Sequence, residues 1–282
     1  MSGQTAAAGE LPADFREALA ARAQRLRGFA SQVAWYDAVS STNDVAERAA
    51  ASGAPHGTVV AADFQEAGRG RMGRSWFSPS GAGLYVSVVI RPSELQPGMG
   101  AGSVSAAASV TLTAGVALAE ALRASTGIDA AIKWPNDLVI GRRKVCGILA
   151  EAAAGAGGLH HVILGYGINV LPAAYPRDIA DRATSIETEL GRAVDRAAVF
   201  AESLACLGER LRELAAGGFP AILDRWRSLS PSSVGHRVQV VSGSGWAEAT
   251  TAGIDRDGAL LVRAGGATDS PRRVVAGEVI WR

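Results

Sequence analysis

The stretch "ADFQEAGRGRMGRSW", residues 62–76, decides how the chain is read. Gly68, Gly70 and Gly73 spell G-x-G-x-x-G, the pattern of a nucleotide loop, while Arg69, Arg71 and Arg74 stand between and after them. A dinucleotide loop must lead from a strand into a helix, because the helix N-terminus supplies the pyrophosphate site. Here Trp76 and Ser78-Pro79 follow, and then "GLYVSVVIRP", in which Leu84, Val86 and Val88 alternate with Tyr85, Ser87 and Val89. That alternation predicts a strand, so the loop joins strand to strand. A kinase glycine loop does the same, but the next strand carries Arg91 where a lysine is needed, and the chain has no H-R-D or D-F-G triplet. What remains is physical. Glycines let main-chain N–H groups approach a ligand, and arginine forks suit a carboxylate or a phosphate. The loop is therefore predicted to bind an anion, a solvated hairpin tip being the alternative, and to gain its order by closing on the ligand.

Working outward, "QVAWYDAV" reads as a strand and "SSTNDVAERAAASG" as a helix capped by Ser41 or Thr42 and stopped by Gly53. "GTVVAADFQ" is a largely buried strand leading into the loop. Residues 1–28 read as a polar tail and one helix with Pro12 in its first turn. Residues 103–125 form an Ala/Ser/Thr-rich helix, buried rather than membrane-spanning. Then "DAAIKWPNDLVI", "KVCGILAEA" and "LHHVILGYGINV" predict an antiparallel meander, with turns at residues 141–143 and 155–158. Helical periodicity returns over residues 194–217 and 219–229. "SPSS" at residues 230–233 is the domain boundary, and short strands with turns at residues 243–245 and at Asp257-Gly258 predict a small SH3-like β-barrel over residues 234–282. The domains are thus 1–28, 29–233 and 234–282, in an α+β chain with a mixed, largely antiparallel sheet and flanking helices.

A formal net charge of +1 argues against a nucleic-acid coat or an acidic tail, so the arginines matter locally. The two cysteines, Cys146 and Cys206, give neither a disulfide framework nor a CxxC metal site, and they suit a reducing compartment. The N-terminus has no basic segment followed by an apolar one, so a cytoplasmic protein is expected.

Further residues converge on the loop. "IKWPND" brings Lys133, Asn136 and Asp137 to a strand end, suited to nucleotide or magnesium-phosphate contact, Asp137 being the candidate metal ligand. Lys144 opens the following strand, and Gly147 leaves space for a ligand against the sheet. In "GYGIN", Gly165 and Gly167 permit close backbone approach and Asn169 offers an amide. His160 and His161, on opposite strand faces, read as ordinary core or surface residues.

"STND", "FQEAGRGRMGRSW", "KWPNDL", "RRKVCGILAE" and "GYGINV", in this order, resemble the biotin protein ligase family, strongly over residues 36–169. The resemblance implies a class II synthetase-like fold. It implies formation of biotinyl-5′-AMP from biotin and MgATP, and then transfer of biotin to a specific lysine of a biotin carboxyl carrier protein domain. Ser41, Thr42 and Gln65 would bond the ureido ring, with Asn43 completing that motif. Arg69, Gly70 and Arg71, beside Gly68, would wrap the carboxylate and then the phosphate, and Lys144 would bond the same oxygens. Lys144 and Arg71 are the catalytic candidates. Gly147 adds to the biotin site, and Arg74, Trp76, Lys133, Asn136, Asp137, Gly167 and Asn169 to the nucleotide site. Only 40 residues precede Ser41, so the short form without a DNA-binding domain is expected, with neither DNA nor membrane as a partner. Lipoate ligases, which share the fold and the acyl-adenylate route, are the rival.

Overall fold

The computed structural model describes residues 7–95, 103–155, 158–242, 245–264, 270–275, 277 and 279–281. Gly243 and Ser244 of one predicted turn, and part of the turn at residues 155–158, lie outside them. The N-terminal segment forms α1 (Ala13–Ala20) and α2 (Ala23–Leu26). One helix was expected. The break falls at Arg22, at φ −112° and ψ 10°, where no glycine or proline marks it, and it lets Phe15 of α1 and Leu26 of α2 both enter the core.

β1 (Val33–Val39), α3 (Thr42–Ala51) and β2 (Val59–Gln65) follow, β1 and β2 running parallel. β3 (Gly83–Ile90) returns antiparallel to β2 after the glycine loop, which thus joins strand to strand and contains one short 3-10 turn at Arg71–Gly73. α4 (Ser103–Thr126) leads to β4 (Ala131–Lys133), β5 (Asp137–Ile140), β6 (Arg143–Gly155) and β7 (Gly158–Asn169), an antiparallel meander. The first run of that meander is two strands, turned at a cis Trp134–Pro135 bond. The seven strands form one sheet in the order β1-β2-β3-β7-β6-β5-β4.

α5 (Ile186–Leu190), α6 (Arg196–Ala215) and α7 (Phe219–Leu229) complete the larger unit. α5 was not foreseen, although Ser185 accepts from the Thr188 N–H at its start and Gly191 ends it at φ 65°. β8 (Val234–Ser242), β9 (Gly245–Ile254), β10 (Leu260–Arg263), β11 (Arg272–Val274) and β12 (Val279–Trp281) form a second, antiparallel sheet, ordered β11-β10-β9-β8-β12. Its Asp257-Gly258 turn is tied to the first sheet by Trp134, whose indole N–H donates to the Gly258 carbonyl at 3.0 Å.

The two faces of the large sheet differ, and the difference positions the site. α4 and α6 cover one face over the main core, which takes in Val86, Val88, Ile148, Leu164, Ile168, Leu118 and Leu204. On the other face α3 packs a smaller cluster, Val45, Ala46 and Ala50 against Val60, Ala62, Val89 and Ile163. Because a strand alternates its faces, β6 presents Gly147, Leu149 and Glu151 to the α3 side and β7 presents Gly165 and Gly167. α4 is apolar and long enough over Ala106–Thr126 to cross a membrane by composition, but most of it is buried inside the fold.

The N-terminal helices are clipped to α6 by charge. Glu202 accepts from Arg22 at 2.8 Å and Arg25 at 2.5 Å, and Arg25 also reaches Glu209 at 2.7 Å. Burial opposes ionisation of Glu202, yet the hydrogen bonds from Arg22 and Arg25 outweigh it and hold this carboxyl below the usual range. A depressed folded value means stability that is present above the unfolded glutamate range and lost as pH falls through the folded one. Glu202→Gln is therefore expected to cost about 1.5–3 kcal/mol at neutral pH, the worth of a bond to a charged group. In urea titrations the difference from the parent should shrink below about pH 4.

Candidate active site

A cleft open to solvent lies on the α3 side of the sheet, between the N-terminus of α3, the glycine loop and the uncovered part of β6 and β7. Ser41, Thr42, Asn43 and Gln65 line one part of it, and Arg71, Asn136 and Lys144 another. Arg69, Gly70, Trp76, Gly147 and Gly167 also line it. Gly68, Arg74, Lys133, Asp137 and Asn169 do not, and each has a different place.

The polar end is a fixed network. Gln65 Oε1 accepts from the Thr42 N–H at 2.9 Å, which sets the orientation of its amide, and Gln65 Nε2 donates to Ser78 Oγ at 2.9 Å. Asn43 is engaged on both sides, donating to Glu151 Oε2 at 2.7 Å and accepting from Ser87 Oγ at 2.6 Å. Ser41 precedes the helix, but its hydroxyl makes no capping bond to it, so the side chain is left to the cleft. Gly68 sits behind this end, where a Cβ would meet the Trp76 carbonyl at 2.6 Å and Ser78 Oγ at 2.7 Å.

The floor is bare sheet. Gly147 and Gly167 are direct partners across β6 and β7, with Asp137 beside Gly147 and Tyr85 beside Gly167. A Cβ at Gly167 would lie 2.3 Å from Trp76 Nε1, and one at Gly147 would lie 2.8 Å from the same ring and 2.9 Å from Lys144 Nζ. The space that the sequence assigned to a ligand at Gly147 is thus taken by the Trp76 indole, whose N–H is buried without a partner. A Cβ at Gly165 would meet Asn43 Oδ1 at 2.1 Å.

The cationic end is pre-paired. Lys144 Nζ lies 2.7 Å from Asp137 Oδ1 and 5.0 Å from the Trp76 ring centre. Arg71 donates to Asn136 Oδ1 at 3.3 Å, and Asn136 Nδ2 donates to the Ile148 carbonyl at 2.6 Å. Among the described residues there is no group of three His, Cys, Asp or Glu side chains able to hold a metal. Lys133 lies on β4, directly opposite Asp137.

The loop has internal order. Gly70 N–H donates to the Arg74 carbonyl and Trp76 N–H to the Gly68 carbonyl, each at 2.7 Å, so the loop has the hairpin form that the sequence offered as its alternative reading. Met72 stands exposed at its tip with φ 56°. The way back to β3 is held by Asp63, which accepts from Ser80 at 2.5 Å, the Gly81 N–H at 2.9 Å and Arg196 at 2.8 Å. Burial raises its carboxyl pKa, and these bonds lower it by more, with a net fall. Asn169 turns away from the cleft to donate to the Thr184 carbonyl at 2.9 Å, and Lys144 exchanges main-chain bonds with Arg182 and Thr184. Residues 182–184 are thereby fixed beside the cationic end. His161 is buried and lies 2.8 Å from Glu47 on α3, outside the cleft.

Asp44, Ser87, Glu151 and Leu149 were missed in the sequence. Ser87 had a signal, a polar residue at the strand parity shared with Tyr85 and Val89. The two carboxylates had none, since an ordinary charge at a helix start or within a strand carries no mark.

Residues 35–169 match the biotin/lipoate A/B protein ligase family. The chain is 37% identical over 232 residues to the bifunctional ligase/repressor BirA of Bacillus subtilis, covering 81% of this chain and 68% of that one. It is 33% identical over 255 residues to the biotin--[acetyl-CoA-carboxylase] ligase of Mycobacterium tuberculosis, 85% of each. The structure resembles Aquifex aeolicus biotin protein ligase in complex with biotin and ATP, with a TM-score of 0.74, 29% identity, and coverage of 89% of this chain and 99% of that one. The chain belongs to the biotin/lipoate A/B protein ligase family and, within it, to the biotin protein ligases.

The glycine floor can be tested without any ligand. Gly167→Ala is expected to destabilise the protein by about 1–3 kcal/mol through overpacking against the indole. Trp76→Ala in the same chain should recover most of that loss in urea titrations, whereas an equal loss with and without Trp76 would place the strain elsewhere.

Proposed function

We propose that the cleft binds biotin with its ring at the Ser41, Thr42 and Gln65 end and its carboxylate at the Arg71 and Lys144 end, and joins it to the α-phosphate of ATP. The observation that carries this is the polarity of one cleft, with neutral donors and acceptors at one end, fixed cations at the other, and the Trp76 indole lying on a floor of glycines between. A cyclic urea joined by an aliphatic chain to a carboxylate has the same order of groups. The solved relative with both biotin and ATP supports the reading.

The carboxylate attacks the α-phosphorus, pyrophosphate leaves, and negative charge gathers on the shared oxygens. Lys144 and Arg71 stand on rigid supports, a strand start and a loop hairpin, so they meet that charge with little reorganisation. To do so Lys144 exchanges Asp137 for the ligand, and Arg71 exchanges Asn136. No side-chain nucleophile is required. Trp76 walls the site, and water held away from the mixed anhydride preserves it. Asp137 would offer one oxygen to a magnesium ion shared with the nucleotide phosphates, and the ion would offset charge on the leaving pyrophosphate; among the described residues there is no acidic cluster that would hold it alone. The acyl group then passes to a lysine amine with AMP leaving. The carboxylase named for the Mycobacterium relative supports a carboxyl carrier domain as the acceptor.

Biotin-dependent ATP–pyrophosphate exchange tests this directly. Exchange is expected with biotin and not with lipoate, and exchange with lipoate alone would reverse the assignment. Lys144→Gln removes a charge-assisted bond worth about 1.5–3 kcal/mol, so adenylation should slow roughly ten- to hundredfold. Biotin affinity by calorimetry should fall less, because the lost contact is made mainly as charge develops. If affinity fell and the single-turnover rate held, Lys144 would be only an anchor. Arg143→Gln is the control for positive potential, since Arg143 pairs with Glu189 outside the cleft.

A further inference from the structure

One cation of the loop is not at the cationic end. Arg69 Nη2 lies between two carboxylates, 2.9 Å from Asp44 Oδ1 in the first turn of α3 and 2.8 Å from Glu151 Oε2 on β6. Glu151 is four residues along β6 from Gly147, where Lys144 Nζ sits, a separation of about 13 Å at ~3.3 Å per residue. The same Glu151 oxygen accepts from Asn43. Arg69 therefore crosses from the loop to the neutral end of the cleft and joins three elements there: the loop, α3 and β6. Its local partners carry two negative charges against its one. A ligand anion that took this guanidinium would have to leave that pair uncompensated beside itself, whereas Lys144 has one carboxylate to exchange.

We infer that Asp44 and Glu151 are positioning residues for the reaction, a docking pair that takes the Arg69 guanidinium and straps the loop across the cleft, so that Arg69 is a strap and not an anion ligand. This reading is the alternative to the expectation that Arg69 wraps the carboxylate, and it rests on the proposed reading of the cleft for its consequence though not for its geometry. The strap presents Gly70 and Arg71, the next residues of the loop, to the other end. It also links loop closure to Asn43, so the neutral end and the lid are one unit.

The test uses the full chain carrying Asp44→Asn and Glu151→Gln together, which keep shape and remove charge at two partly exposed positions. In ligand-free protein, hydrogen exchange over residues 68–75 should accelerate about three- to tenfold, the range for half-exposed pairs, with exchange in β6 and β7 unchanged. Unchanged loop exchange would overturn the strap whatever the substrate is. With biotin, calorimetric affinity should weaken about three- to tenfold, and KM in pyrophosphate exchange should rise with kcat within about twofold, the signature of lost uniform binding. Tighter biotin binding would overturn the inference, because it would mean that the carboxylates had been withholding Arg69 from the ligand. Arg69→Gln should reproduce the same changes and add nothing to the double variant, while additive losses would again mark Arg69 as a direct ligand. A parent that bound no biotin would refute the proposed function, and the ligand-free exchange would still decide the strap.

Discussion

The site depends on a stretch of sheet without side chains. Gly147, Gly165 and Gly167 lie on the α3 side of β6 and β7, and Lys144 Nζ, the Trp76 ring and the Asn43 amide lie where their Cβ atoms would be. A single methyl group at any of them brings contacts at 2.1–2.9 Å, closer than packed atoms come. Strand register makes the arrangement possible. Pairing of Gly147 with Gly167, and of Gly165 with Leu149 on one side and Ser87 on the other, sets the bare positions in adjacent rows beneath the helix start and the loop.

On that floor the electrostatics are arranged before any ligand enters. Lys144 is held by Asp137, Arg71 by Asn136, and Arg69 by Asp44 with Glu151. A cluster of bare cations would repel itself and disorder the loop. Paired cations instead hold its hairpin and the start of β6 in place, and they give up only an exchange of oxygen partners when a ligand anion replaces the protein one. The partners are unequal, one carboxylate on Lys144 against two on Arg69, so the guanidinium of Arg69 is the harder to exchange.

Much of this was legible in the sequence because it rests on local chemistry. Trp76, Ser78-Pro79 and the alternation from Leu84 to Val89 excluded a helix after the glycine loop, and Ser41 and Thr42 marked a helix start beside it. Lys144, Asn136, Gly147 and Gly167 were found through their place at strand ends and in a glycine-interrupted strand. What stayed hidden depends on tertiary partners. Nothing local distinguishes Glu151 from any strand carboxylate, or Asp44 from a helix-start acid serving the macrodipole. The break at Arg22 carries no glycine or proline, because packing of Phe15 and Leu26 imposes it. Asn169 looked like a ligand amide by its position in "GYGIN", yet it is the one polar group there that turns to hold residues 182–184.

The central claim is that this glycine-floored cleft hands its cations from protein oxygens to ligand anions at one end while the other end stays fixed. A crystal structure with a non-hydrolysable biotinyl-adenylate analogue tests it most directly. The account predicts Lys144 Nζ moved off Asp137 and Arg71 moved off Asn136, both within hydrogen-bond distance of the acyl-phosphate oxygens, with Gln65 still on Thr42 and Ser78. Lys144 still paired with Asp137, and the acyl-phosphate lying away from both cations, would contradict it.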